Sequence, residues 1–267
     1  MCWSLKRVLA IVVIVLLAAG LWWGWSSWNR AGQVLVSDAR AALVEGETDT
    51  VHVYLTIENK GKPDRIVSAS SPDADEVVLY SPESEGGIPL PSEGTASFAA
   101  DGAHVVLNGV RGDLSDGRLF PIEVEFERAG PVTTKARLGG SLSAGQADHV
   151  GLFGVGDICR VGEGEPAPKI SLDVTHLDDG KGWKIDLVSE EFRFDKSLVD
   201  GPHVPGTGHA HLYVGGLKIK RLYESSATIG DLPPGKHTVR VTLNTNDHRA
   251  YVVDDKPVTA EAVIRVD

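Results

Sequence analysis

From residue 33 onward the chain is written in short alternating runs of apolar and polar residues. Val51-His52-Val53-Tyr54-Leu55-Thr56-Ile57 and Ile122-Glu123-Val124-Glu125-Phe126 show the pattern most clearly, and shorter runs follow at Arg65 to Ser68, Glu76 to Tyr80 and His104 to Leu107. A period of two, punctuated by Gly, Pro and Asp, predicts half-buried strands joined by turns. The same pattern returns after residue 169. It predicts strands at Ile170 to Val174, Trp183 to Val188, Phe192 to Phe194, His209 to Val214, Lys218 to Tyr223, Thr238 to Leu243 and Val258 to Val266. No stretch after residue 33 has helical periodicity, so both halves read as β-sandwiches. Between them, residues 139–168 carry Gly, Ser, Ala, Glu and Pro with little apolar patterning, and read as a flexible linker.

The N-terminus has a different grammar. Lys6 and Arg7 precede an apolar run from Val8 to Trp23, followed by Trp25 and Trp28. About twenty apolar residues suffice to cross a bilayer, and indoles favour its interface. Residues 1–30 are therefore expected to be an uncleaved transmembrane anchor, with the bulk of the chain outside the cytoplasm, in the periplasm if the cell is a bacterium. Cleavage near Ala18-Ala19-Gly20 is the competing reading and gives the same compartment. No lipobox cysteine follows the run.

The expected organisation is an all-β chain of two sandwiches, residues 33–138 and 169–267, behind a membrane helix. The turn Leu232-Pro233-Pro234-Gly235 launching Lys236 to Val241 suits immunoglobulin-like and cupredoxin-like sheets. A length of 267 residues accommodates two such domains. The formal net charge of −11 argues against a nucleic-acid partner. Cys2 and Cys159, the two cysteines, lie on opposite sides of the apolar run, so no intrachain disulfide is expected.

Candidate chemistry concentrates in the distal half. His203-Val204-Pro205-Gly206-Thr207-Gly208-His209-Ala210-His211 and Asn246-Asp247-His248 hold four of the nine histidines. Residues two apart on a strand share a face, so His209 and His211 can reach one ion, with Ala210, Leu212 and Val214 turned into the core. His248, beyond the strand Thr238 to Leu243, is the expected third ligand and His203 the fourth. Asp247 or Asn246 is the expected hydrogen-bond partner that orients an imidazole. A site rich in imidazole and poor in thiolate suits Cu(II) or Zn(II). The plain alternative is a pair of solvated polar residues on an exposed strand. Cys159 is a possible Cu(I) ligand or an incidental thiol. No nucleophile motif, phosphate loop or paired carboxylates stand out, and Gly154-x-Gly156 and Gly162-x-Gly164 lie in the linker without a strand-to-helix context.

The stretch from about Val34 to Leu138 resembles the periplasmic copper-chaperone family called PCu(A)C. The resemblance rests on Val53 to Gly61 followed by Pro63-Asp64-Arg65-Ile66-Val67 and Ala69 to Pro72, on Val77-Val78-Leu79-Tyr80, and on Gly102 to Leu107. It implies a cupredoxin-like sandwich and a Cu(I) site of two histidines and two methionines. Here Tyr80 stands in place of one histidine, Val106 in place of a methionine, and the only methionine is Met1. Of the implied set only His104 survives. The distal half looks like a His-rich β-domain of exported bacterial proteins. That neighbour favours copper over zinc, and the imidazole-rich, thiolate-poor donors favour Cu(II) over Cu(I). The expectation is a membrane-anchored copper-binding or copper-delivery protein, not an enzyme, serving a membrane cuproenzyme or another envelope protein. The alternatives are a metal-free adhesive or scaffolding pair of sandwiches, and a metalloenzyme with an open coordination position.

Overall fold

The protein is described from a computed structural model, which covers residues 11–17, 33–44, 46–84, 86–139, 158–162, 164–177 and 181–267. It is mostly β. The proximal module contains strands Val34–Leu43, Val51–Asn59, Asp64–Ser70, Glu76–Tyr80, Ile88–Leu90, Gly94–Ser97, His104–Asn108, Leu119–Phe126 and Gly130–Leu138. Alternation drives their burial: Phe120, Ile122, Val124 and Phe126 turn inward while Leu119, Pro121 and Glu123 face out. Val51–Asn59 lies at the centre, paired antiparallel with Val34–Leu43, Gly94–Ser97 and His104–Asn108. Val53, Leu55, Ile57, Phe98, Leu107 and Phe126 are each 2% exposed or less. Burial of such side chains contributes about 1.5–3 kcal/mol each.

In the distal module, strand Thr207–Val214 is flanked by Leu217–Leu222 and Gly235–Asn244, and Gly235–Asn244 pairs in turn with Thr259–Val266. A separate three-stranded sheet of Lys169–His176, Trp183–Glu190 and Ser226–Ile229 supplies Ile185, Leu187 and Ile229 to the same core. Ala210, Leu212 and Val214 enter that core as their spacing requires. Part of the stretch expected to be linker is a strand: Ile158–Arg160 runs parallel to Ala250–Val252, and Cys159 is buried there as a free thiol. Residues 140–157 lie outside the described residues.

The two modules are stitched together. The turn Gly215-Gly216 has both φ angles positive, at 54° and 80°, the backbone of a two-residue hairpin turn that glycine adopts without strain. Its backbone meets the proximal module directly: Ser81 Oγ donates to Gly215 O at 2.8 Å, Ala103 N to Gly216 O at 2.6 Å, and Gly216 N to Glu83 at 2.9 Å. Lys218 pairs with Ser97 as strand neighbours, and Leu217 is buried in the proximal core. Beside the turn, the Arg240 guanidinium lies 4.0 Å from the Tyr213 ring centroid, pairs with Glu83 through Nε, and donates from Nη2 to Asp101 O at 2.9 Å. Removing one member of a buried ion pair leaves the other charge unpaired, which costs about 3–5 kcal/mol. Arg240→Ala should lower the unfolding free energy by about that amount in urea. An unchanged midpoint would show that this contact does not hold the modules.

Of the expected membrane span, residues 11–17 are helical, with Ile11 through Leu17 44–66% exposed. The remainder of residues 1–30 lies outside the described residues. Among the described residues no helix is long and apolar enough to cross a membrane.

Candidate metal centre

His209 and His211 project from one face of Thr207–Val214, a strand buried along its whole length. Burial distinguishes the pair from solvated strand histidines: His209 is 0% and His211 3% exposed. Their Nε2 atoms stand 3.1 Å apart. Two imidazole nitrogens at about 2.0 Å from one tetrahedral ion are separated by about 3.3 Å, so the pair is already at the spacing that shared ligation requires.

The third ring comes from the loop that follows Gly235–Asn244. His209 is in register with Asn244, so this loop emerges over the His209 side chain. The turn is pinned by His248 N donating to Thr245 O at 3.1 Å, Thr245 N to Arg249 O at 2.8 Å, and Asn246 Nδ2 to Thr207 Oγ1 at 2.9 Å. His248 takes a positive φ of 67°, which turns the chain at that residue. His248 and His209 ring centroids are 4.8 Å apart. One nitrogen from each of His209, His211 and His248 lies within 4.8 Å of the other two. Among the described residues this is the one group of three or more His, Cys, Asp or Glu with such convergence.

The expected fourth ligand, His203, lies elsewhere, as does His104, the survivor of the set that the chaperone resemblance implies. His203 Nε2 sits 3.8 Å from Cys159 Sγ and 3.6 Å from Glu165 Oε2, with its ring edge-on to Tyr251. The Gly-Pro approach carries it past the cluster. His104 belongs to the proximal module, where its Nδ1 meets Gly102 O at 3.1 Å and its ring is 4.5 Å from that of His52 and 4.9 Å from that of Tyr80. His52 is half-buried against His104, and burial with His104 nearby lowers its pKa to about 4. His237 hydrogen-bonds Pro233 O at 2.6 Å and His176 packs edge-on to Trp183, both packing roles. His149 lies outside the described residues.

The orienting partners also differ from those the sequence suggests. Asp200 Oδ1 is 2.6 Å from His248 Nε2, and this hydrogen bond holds the Asp200 carboxyl below its usual value. With Nε2 engaged, Nδ1 is the His248 atom left for an ion, a carboxylate–imidazole pairing typical of ligand histidines. Asp247 instead accepts from Arg249 Nε at 3.1 and 3.0 Å. His209 Nδ1 is buried with no hydrogen-bond partner.

Electrostatics keep the pair neutral. Burial, then the charges of His248, Arg221 and Lys218, lower the His209 pKa to about 3, and burial pushes His211 well below its usual value. Neutral imidazoles such as these two keep their lone pairs for a metal at physiological pH, and a donor set of three imidazoles without a thiolate matches a borderline ion such as Cu(II) or Zn(II). The spacing of the three rings fits such an ion.

Residues 34–138 match the sequence model of the family described as "Putative lipoprotein LpqE-like". The match covers the same stretch as the resemblance to the PCu(A)C-related chaperones and bears that resemblance out. Solved structures similar to this chain include a copper-bound PCuAC domain from PmoF2, 26% identical over 41% of this chain and 95% of that one, with a TM-score of 0.37. An apo PCuAC domain from PmoF1 is 23% identical over 41% of this chain and 96% of that one, with a TM-score of 0.38. The CuI form of DR1885 from Deinococcus radiodurans is 24% identical over 42% and 84%, with a TM-score of 0.35. No curated protein matches the chain.

Proposed function

We propose that this protein binds one copper ion, as Cu(II), through His209, His211 and His248, and holds or delivers it at the cell envelope. The observation that carries the reading is the convergence of three imidazole nitrogens within 4.8 Å in a part of the fold where two of the rings are buried and neutral. Zinc suits the same donors. Copper is chosen because the proximal module matches a family related to copper chaperones. That module cannot repeat the methionine chemistry, since the single methionine is Met1.

An envelope location agrees with the family's description as a putative lipoprotein and with the apolar run at the N-terminus. We place the chain in the inner membrane by that run, with both modules outside the cytoplasm. A three-imidazole set leaves the recipient to be a membrane cuproenzyme or another envelope acceptor, reached by ligand exchange. The reading is of a binding protein, without a group assigned to bond-making chemistry.

Adding Cu(II) to the metal-free full chain should give one bound copper per chain by elemental analysis. A ligand at a hundred times its Kd stabilises the folded state by about 2.7 kcal/mol, so the melting temperature should rise by roughly 5–10 °C. Absence of both binding and shift with copper and with zinc would favour a metal-free adhesive or scaffolding role.

A further inference from the structure

We infer that the proximal module supplies the group that positions the distal metal centre: Asp101 fixes Tyr213, and Tyr213 fixes His211 in the tautomer that presents Nε2 to the ion. The inference rests on the metal reading above and assigns a role to residues on the far side of the module boundary.

The chain of contacts is continuous. Asp101 lies in the loop just before strand His104–Asn108, a loop closed by Gly102 N donating to Ala99 O at 3.1 Å and docked on the distal hairpin through Ala103 N to Gly216 O. The Tyr213 hydroxyl donates to Asp101 Oδ2, and the Tyr213 hydroxyl oxygen is 3.4 Å from His211 Nδ1. A phenol has one proton to give. With that proton committed to the carboxylate, its oxygen meets His211 only as an acceptor. Nδ1 of His211 then carries the ring proton, and Nε2 keeps its lone pair, 3.1 Å from Nε2 of His209.

The positioning pair is itself held from both modules. Tyr213 is 0% exposed, its ring lies under the Arg240 guanidinium, and Arg240 donates to the Asp101 backbone carbonyl while pairing with Glu83. No rotation of the phenol is open to it without breaking this packing. The arrangement gives the proximal module a function that needs no ion of its own: it contributes the carboxylate that, through Tyr213, orients a ligand. Partners of this kind change metal affinity by about 10- to 100-fold when removed.

Tyr213→Phe keeps the ring beneath Arg240 and deletes only the hydroxyl. In the full chain it should weaken Cu(II) binding about 10- to 100-fold in a competition titration and shift the visible and EPR spectra of the copper form. Asp101→Asn, whose amide oxygen is a weaker acceptor than a carboxylate, should fall between the wild type and Tyr213→Phe. In the metal-free protein, nitrogen NMR should find the His211 proton on Nδ1 in the wild type and a mixture of tautomers in Tyr213→Phe. A wild type that binds copper while both folded variants match it in affinity and spectrum overturns the positioning role alone. A wild type that binds no copper overturns the metal reading and this inference together.

Discussion

Replacing His209 and His211 together with alanine should abolish tight copper binding, with a loss in affinity of more than about a thousandfold, because two of three ligands go at once. The two rings are near neighbours on one strand face, with Nε2 atoms 3.1 Å apart, so neither is replaceable by a small backbone shift. His248 alone, on a loop held by Asp200 and the Thr245 turn, leaves a single imidazole. Both rings are buried, so the double alanine variant also opens a void and should be checked for native far-ultraviolet circular dichroism. If it does not fold, the asparagine pair fills more of the space and should show the same loss of copper. Undiminished affinity in a folded double variant would remove the centre from this part of the molecule.

Acid should unfold the metal-free protein steeply below pH 6.5. His209 titrates near 3 in the folded chain and His211 well below its usual value, while both return to about 6.5 when the chain unfolds. Their folded pKa values are depressed, so between pH 6.5 and roughly 4 the unfolded state binds more protons than the folded one. Stability is then full above pH 6.5 and falls as pH falls, by about 1.4 kcal/mol per pH unit for each of the two rings. For His209, whose folded value is about 3, two units remove about 2.5 kcal/mol, and His211 adds to the loss in the same direction. His52, also depressed by burial, adds in the same direction. Urea unfolding midpoints measured from pH 7.5 to 4.5 check this, and the slope should flatten in the His209→Ala, His211→Ala variant. A flat profile in the wild type would mean that the two rings are not buried as neutral groups.

Much of the fold can be read from alternation alone, and its gaps have local causes. Glu76–Tyr80 and the strand containing His209 are visible because their patterns run unbroken. Val34–Leu43 is not, because a register shift between Ser37 and Arg40, with Asp38 at a φ of 48°, breaks the period of two midway. Ile88–Leu90 holds a proline at its centre, and Ile158–Arg160 is only three residues long and sits among Gly and Glu. For the candidate site, His209 and His211 announce themselves by spacing, and His248 by the strand that precedes its loop. Asp200 and Asp101 have no sequence signal. The first reaches His248 across 48 residues, and the second reaches Tyr213 across 112 and from another module, so only tertiary packing brings them in. His203 shows the converse: its closeness in sequence to His209 suggests a shared ion, but the intervening Val204-Pro205-Gly206 turn leaves it against Cys159 and Glu165.

The most direct test of the central claim is pulsed EPR on the full chain loaded with one equivalent of Cu(II). A single copper species with three coordinated imidazoles, reduced to one imidazole or none when residues 209 and 211 are replaced, is the predicted result. A copper spectrum without coordinated imidazole, or one unaltered by those replacements, would contradict it.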